Sequence, residues 1–246
     1  MLSEKPWTLD AVVRMLFGLL VAISATMLVL GVYQQFILKH MLKENEWPMI
    51  LIGTLSLDGF IIVAVALFLR SQHLTWAEAF GFTSPGIGKA IGWAILVAIL
   101  FLPVGNLLQT VSFKLLDLVH YKSPVQHAVA TLQTAPSLGT RIYMILFAVV
   151  AAPIAEESLF RGILYPTLKK YGNTALALWV SSVIFGVIHL NFAIFLPLMV
   201  LGMALAWLYE KTNNLLACIV AHGLFNAINV LALFFGEDVI KYFSHT

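Results

Sequence analysis

The sequence predicts an all-α protein, a polytopic bundle of about seven transmembrane helices. Of its 246 residues, 61% are hydrophobic and only 11% are charged, whereas soluble domains are about a quarter charged. The mean hydropathy is +0.93, and the apolar residues occur in long runs. A soluble enzyme, a disordered chain and a disulfide scaffold are therefore excluded, and an integral, multi-pass membrane protein is expected.

Seven apolar segments are long enough to cross a hydrocarbon core of about 30 Å, which takes roughly 17 to 25 helical residues. A spanning segment must satisfy its own backbone hydrogen bonds, so each is expected to be a helix. We expect the first to stay as a membrane helix and not to be removed as a signal peptide. The predicted spans are Val12–Leu38, Pro48–Leu69, Ala90–Val119, Ile142–Leu168, Thr174–Leu190, Ala193–Tyr209 and Asn214–Phe235.

Two of the connections between these spans are longer than the rest. The one at 70–89 contains aromatic residues around Gly81 and predicts an interfacial turn with aromatic anchors. The one at 121–140 fits a short interfacial helix and an ordinary loop equally well. We divide the chain into an N-terminal part with three spans and an interfacial loop, a four-helix membrane core and a short C-terminal tail: 1–141, 142–236 and 237–246.

Charge and cysteine content narrow the range of partners. The formal net charge is +2, without a basic run that could follow a phosphate backbone, so the lipid bilayer is the expected partner and nucleic acid is not. The single cysteine, Cys218, lies inside an apolar segment. A single cysteine excludes a disulfide framework within the chain and a cysteine-rich metal site.

The fourth predicted span contains three ionisable residues, each of which costs roughly 3 kcal/mol in a bilayer core and so requires a reason. Glu157 and Arg161 are four residues apart, which places them on one helix face where they can pair. Glu156 lies about 100° around the helix and faces another neighbour. An unpaired carboxylate there suits general-base chemistry or metal ligation. Pro153 is expected to free a backbone carbonyl and kink or widen the helix.

The fifth and seventh predicted spans contribute histidines and an amide. His189 lies near the end of its span, one turn after Phe185, which we interpret as a packing residue. His222 and Asn226 share a helix face, and Gly223 allows another backbone to approach closely. Taken singly, His189 is explained as an interfacial histidine, and His222 and Asn226 are explained as partners in interhelical hydrogen bonds. Together with the carboxylates, on apolar helices, they favour a functional site.

A further carboxylate, Asp58, lies in the middle of the second predicted span. It could pair with Arg161 or Arg14, or be protonated and purely structural. We favour the structural interpretation.

The three clusters, taken in order, resemble the signature of the CPBP (Abi) family. That family comprises intramembrane proteases, among them the type II CAAX prenyl endopeptidases, together with bacteriocin-processing and bacteriocin-immunity proteins. The resemblance covers about residues 142–236. The motifs are Glu156-Glu157-x-x-x-Arg161, Phe185-x-x-x-His189 and His222-x-x-x-Asn226.

The resemblance implies an intramembrane endopeptidase that acts on a membrane-associated peptide or protein, prenylated or of bacteriocin type. It implies that Glu156 and His189 activate water, and that His222 and Asn226 donate hydrogen bonds to the developing oxyanion. Hydrolysis of an amide requires both functions.

The resemblance further implies that Glu157 and Arg161 hold the first motif in place. A metalloenzyme stays open as an alternative, because Glu156, His189 and His222 would make a two-histidine, one-carboxylate zinc site with room for a water. No other cofactor is implied.

Two other functions compete with the peptidase. Buried Glu, Asp and His residues suit a proton-coupled transporter, although the inverted halves typical of such carriers are not seen in the sequence. A non-enzymatic immunity or scaffold protein is the third hypothesis, and it predicts that Glu156 and His222 are dispensable. The complete set of motif residues favours the peptidase.

Overall fold

A computed structural model of the protein describes residues 2–33, 35, 47–82, 86–124, 127–135 and 137–244. Within these residues the chain is helical, without a strand, which confirms the predicted all-α class. The helices are α1 (Leu9–Tyr33), α2 (Trp47–Ser71), α3 (Trp76–Phe80), α4 (Ile87–Leu118), α5 (His127–Gln133), α6 (Leu138–Tyr171), α7 (Thr174–Val187), α8 (Phe192–Thr212) and α9 (Leu215–Ser244).

Five of the described helices are long and apolar enough to cross a membrane: α1, α4, α6, α8 and α9 over Leu215–Phe235. The bundle of membrane helices is thus confirmed. Helix α7 has only 14 residues, and α2, with 25 residues, includes side chains outside the described set. The number of about seven spans therefore stays a prediction.

The ends of the predicted spans shift by a few residues in the structure. Helix α6 begins earlier than predicted, since the Ser137 side chain caps its first turn by accepting from the Thr140 backbone N–H. Helix α7 ends at Val187 because the backbone turns at Leu190, which has a φ of +50°. The predicted end of the first span, at Leu38, lies outside the described residues. Helix α9 continues to Ser244, beyond the end of the seventh predicted span at Phe235.

Helix α6 is irregular along its length. Two π-helical turns, Phe147–Ala151 and Ser158–Leu164, flank a short α-helical piece, Ala152–Glu157. The first π turn lies directly before Pro153, so the predicted widening of the helix there is confirmed. Such π turns occur mostly as single insertions, often at functional sites.

Helices α4, α8 and α9 pack against one another, α7 packs on α8, and α2 and α9 both contact the middle of α6. Edge-to-face aromatic pairs join α4 to its neighbours: Trp93 contacts Trp207 of α8 at 5.8 Å between ring centroids, and Phe101 contacts Phe225 of α9 at 5.4 Å. Large apolar side chains such as Leu28, which is 70% exposed, cover the outside, as expected for a surface that faces lipid.

The two long connections contain short helices. In the first, a reciprocal pair of hydrogen bonds between Thr75 and Glu78 starts α3, and Gly81 ends it in the left-handed conformation. Phe80 is fully buried against Gly162 of α6, so this aromatic residue packs inside the protein and does not anchor at an interface; the interfacial turn itself stays a prediction. The second contains α5, so a helix is confirmed there; its place in the interface stays a prediction.

The segment before α1 is buried against α6, a contact that no pattern in the sequence predicts. Trp7 is only 1% exposed, and its indole N–H donates to the Thr167 hydroxyl at 2.9 Å. The Lys170 ammonium donates to the backbone carbonyls of Lys5 and Trp7.

Candidate active site

The two glutamates of the first motif lie on the short α-helical piece of α6, between its π turns. Glu157 accepts a hydrogen bond from Arg161 on its Oε1, with 2.8 Å between Nη1 and Oε1. Both side chains are at most 1% exposed. The predicted pair is thus confirmed, although it crosses from α-helical into π-helical backbone.

Glu157 also connects the first motif to the third. Its Oε1 lies 2.8 Å from Nδ1 of His222 on α9, a buried contact between residues 65 positions apart. A carboxylate oxygen paired with an arginine only accepts, so the hydrogen lies on Nδ1 of His222. The other ring nitrogen, Nε2, is then left for a further partner.

His189 is fixed in a similar way by a different kind of acceptor. Its Nδ1 lies 2.7 Å from the backbone carbonyl oxygen of Phe185, one turn earlier in the chain. The last carbonyls of a helix have no partner within it, so a side chain that comes after the helix can donate to them. Because a carbonyl only accepts, Nδ1 of His189 carries the hydrogen and Nε2 has a lone pair in the neutral ring.

The Phe185 ring lies at the centre of these side chains. The Arg161 guanidinium is 4.3 Å from the ring centroid, and the imidazoles of His189 and His222 lie at 5.2 and 5.9 Å. Phe185 is fully buried, as a packing residue should be, but its ring face also stabilises the buried cation. Its spacing of four from His189 was the sequence signal for this proximity.

Glu156 lies one position before Glu157, on the same α-helical piece of α6. It is half-buried, and its Oε2 atom is buried without a hydrogen-bond partner among the described residues. His222 and Arg161 lie close enough to both Glu156 and His189 to interact with them electrostatically. His222 and Arg161 are therefore neighbours of both members of the predicted water-activating pair, Glu156 and His189.

Asn226 bonds to backbone and not to a motif side chain. Its Nδ2 donates to the Ala148 carbonyl in the first π turn of α6, at 2.9 Å. Gly223 lies against the same turn: a Cβ atom there would be 2.6 Å from the Val149 carbonyl oxygen. His222 and Asn226 thus share the α9 face that contacts α6, as predicted, and the close approach at Gly223 is confirmed.

Asp58 is buried, at 6% exposed, on the part of α2 that packs against α6. It lies close enough to Glu156 for the two carboxyl groups to interact electrostatically. The two arginines suggested as its partners are engaged elsewhere, Arg161 with Glu157 and Arg14 in an exposed pair with Asp10.

The arrangement does not gather a set of metal ligands. Among the described residues, no group of three His, Cys, Asp or Glu side chains could hold a metal ion. The zinc site suggested for Glu156, His189 and His222 therefore has no support from their placement, and no catalytic step is assigned to a metal. Cys218 is buried, and its thiol donates to the Leu205 carbonyl.

The fold and these contacts define an integral, multi-pass membrane protein with carboxylates, imidazoles and an amide between α6, α7 and α9. Residues 138–228, which span α6 to the middle of α9, match the family model described as "Type II CAAX prenyl endopeptidase Rce1-like". The resemblance seen in the three motifs is thereby confirmed over this part of the chain. The match supports a membrane endopeptidase of the CAAX type.

Several bacterial proteins are similar to this chain. "Putative membrane peptidase YdiL" of Bacillus subtilis (strain 168) is 26% identical over 179 residues, 73% of this chain and 71% of that protein. Two proteins of Lactococcus lactis subsp. lactis (strain IL1403) also match. "UPF0177 protein YxdF" is 32% identical over 92 residues, 35% of this chain and 50% of that protein. "UPF0177 protein YajF" is 23% identical over 163 residues, 65% and 74% of the two chains. No solved structure matches the chain.

Proposed function

We propose that the protein is an intramembrane endopeptidase that hydrolyses a peptide bond in a membrane-associated peptide or protein, with Glu156 and His189 activating the attacking water. The observation on which this depends is the buried Oε2 of Glu156, for which the described residues provide no hydrogen-bond partner. An intramembrane carboxylate left available in this way requires a functional reason. We assign the chemistry to the core 142–236, with 1–141 supporting it.

The first step is attack by water on the scissile carbonyl. The Glu156 carboxylate takes one proton from the water, while Nε2 of His189 accepts a hydrogen bond from the other water hydrogen and orients it. The hydroxide oxygen forms a bond to the carbonyl carbon. The electron pair of the C=O bond moves to the carbonyl oxygen, which becomes an oxyanion.

His222 and Asn226 stabilise the oxyanion in this proposal. His222 donates from Nε2 in its doubly protonated form, because the Glu157 carboxylate on Nδ1 compensates the positive charge. Asn226 donates with the second hydrogen of its amide, since the first is bonded to Ala148. With Glu156 ionised, the charges of the two glutamates balance those of Arg161 and the imidazolium.

The second step releases the product. The tetrahedral intermediate collapses, the carbon–nitrogen bond breaks, and the leaving nitrogen takes the proton from Glu156. The products are a carboxylic acid and an amine, and the Glu156 carboxylate is restored. Helices around the site exclude bulk water, which strengthens each of these polar contacts.

The proposal predicts that Glu156→Gln abolishes cleavage. The amide cannot take a proton from water, and general-base catalysis contributes about 100-fold or more. The purified protein is incubated in detergent with peptides anchored by a C-terminal prenylated cysteine or by an apolar helix. Fragments are identified by mass spectrometry.

The matched control is Glu4→Gln, the same chemical change on a side chain that is 74% exposed, and it should cleave like the wild type. Cleavage by Glu156→Gln at the wild-type rate would contradict the proposal. A preference between the two anchors would show whether prenylation is required.

A further inference from the structure

Two backbone carbonyls of α6 face α9 at the first π turn. The Ala152 N–H bonds to the Phe147 carbonyl, five residues earlier. The same spacing would pair residue 153 with the Ala148 carbonyl, and the ordinary α-helical spacing would pair it with the Val149 carbonyl. Residue 153 is proline, which has no N–H. With either spacing, residue 153 provides no N–H donor, so one of these two carbonyls lacks its usual partner within α6.

Helix α9 meets both carbonyls. The Ala148 oxygen accepts from Nδ2 of Asn226 at 2.9 Å. The Val149 oxygen lies so close to Gly223 that a Cβ atom there would be 2.6 Å away, which only glycine permits. A carbonyl inside an apolar bundle is costly without a donor. The amide of Asn226 therefore provides the hydrogen bond that Pro153 cannot donate.

We propose that Asn226 is a positioning residue: it supplies the hydrogen-bond donor that Pro153 removes, and so holds the π turn that sets the direction of Glu156. The part of this inference that concerns cleavage rests on the function proposed above. It adds a second role to the oxyanion donor role, carried by the other hydrogen of the same amide.

The direction of Glu156 depends on the π turn for a geometric reason. Glu156 lies three residues after Pro153, on the α-helical piece that comes directly after the turn. A π turn contains one residue more than an α turn, so its loss would rotate this α-helical piece by about 100°. That rotation would turn the Glu156 carboxylate toward a different part of the bundle.

The first test is a thermodynamic cycle on unfolding in detergent. Asn226→Ala should lower the unfolding midpoint by about 2 to 4 °C. In a Pro153→Ala background the same change should have less than about half of this effect. With alanine at position 153, the Ala148 carbonyl can accept a hydrogen bond from the restored N–H of residue 153 at the π-helical spacing. If the turn becomes α-helical, it can accept from the Ala152 N–H instead.

An exposed asparagine on the same helix provides the control. Asn229 donates to the Phe225 carbonyl within α9, and Asn229→Ala should leave the midpoint unchanged in both backgrounds. Equal losses on Asn226→Ala with and without Pro153 would overturn the proposed hydrogen-bond replacement.

A second measurement monitors Glu156 without any substrate. Hydrogen–deuterium exchange of a peptide that covers 152–160 should quicken in Asn226→Ala, because the turn before it loosens, and stay unchanged in Asn229→Ala. Unchanged exchange at 152–160 in Asn226→Ala would overturn the positioning role, whether or not the protein cleaves peptides.

The third measurement tests whether Asn226 acts in catalysis beyond simple support of the fold, since either role of its amide would lower kcat. With a cleaved peptide, and well below the unfolding midpoint, Asn226→Ala should lower kcat about 10-fold or more with KM nearly unchanged. An unchanged kcat would overturn the proposal. If the wild type cleaves no peptide, the function proposed above fails, and the two preceding measurements still decide the role of Asn226.

Discussion

Glu157 has the most consequential single contact in the site, because one of its oxygens serves two motifs. Oε1 accepts from both Arg161 and His222 at 2.8 Å, and all three side chains are buried. The i,i+4 spacing predicted the first contact. It contained no information on the second, which joins residues 65 positions apart and depends on how α9 packs against α6.

We predict that Glu157→Gln destabilises the protein by about 3 kcal/mol, because it leaves the buried Arg161 cation without a counter-charge. Adding Arg161→Met should recover a large part of this loss, since both charges are then removed. The free energy of unfolding in detergent, measured for the two single variants and the double variant, checks this. A double variant that loses the sum of the single losses would contradict the prediction.

Among the helices, α6 deviates most from the sequence analysis. The segment was predicted as one span with a widening at Pro153, but the structure has two π turns. The second, Ser158–Leu164, comes directly after Glu157 and contains Gly162, against which Phe80 of α3 packs. No residue pattern predicted it, because π turns are rare and the spacing rules assume the α-helical repeat.

The contact between α3 and α6 leads to a testable prediction about Gly162. A Cβ atom at Gly162 would lie 2.6 Å from Cε1 of Phe80, so Gly162→Ala should destabilise the protein by about 1 to 3 kcal/mol through overpacking. Phe80→Leu should reduce this penalty, because it removes the ring. Unfolding midpoints of the two single variants and the double variant measure the effect.

A glycine in open space provides the control for this substitution. Gly88 of α4 has nothing within 4 Å of its Cβ position, and Gly88→Ala should leave stability unchanged or slightly higher. If Gly162→Ala has the same effect as Gly88→Ala, the close packing of Phe80 on α6 is not a source of stability.

For the molecule as a whole, the N-terminal segment contacts helices that are far apart from one another in the sequence. The Lys5 ammonium donates to the Ala79 carbonyl at 2.6 Å and lies 5.6 Å from the centroid of the Tyr209 ring. Lys5 is only 5% exposed, and burial lowers its pKa from 10.5 to about 8.

This burial predicts a stability that rises with pH. Between about pH 8 and 10.5 the unfolded chain holds more protons on Lys5 than the folded chain, so deprotonation favours folding. Below pH 8 the side chain is protonated in both states, and its contribution is constant. The free energy of unfolding should rise by about 2 kcal/mol across the window, once screening by solvent is allowed for.

The measurement compares the wild type with Lys5→Met at about pH 7 and about pH 10. The other titratable groups are common to both proteins and cancel in the difference. The wild type should gain stability relative to Lys5→Met as the pH rises. A difference that is independent of pH would contradict the prediction.

Short-range rules account for the features that could be predicted from the sequence without a structure. Long apolar runs indicated the all-α membrane class, because a bilayer accepts only segments that satisfy their own backbone. The spacings of four indicated the Glu157–Arg161 pair and the common face of His222 and Asn226, because the helix repeat places such residues side by side.

Which of these faces meet was decided by tertiary packing alone. The packing brought His222 to Glu157, Asn226 to Ala148 and the N-terminal segment to α6. Such contacts depend on helices whose order along the chain leaves their relative rotation and depth open, and small shifts of either would exchange one polar partner for another.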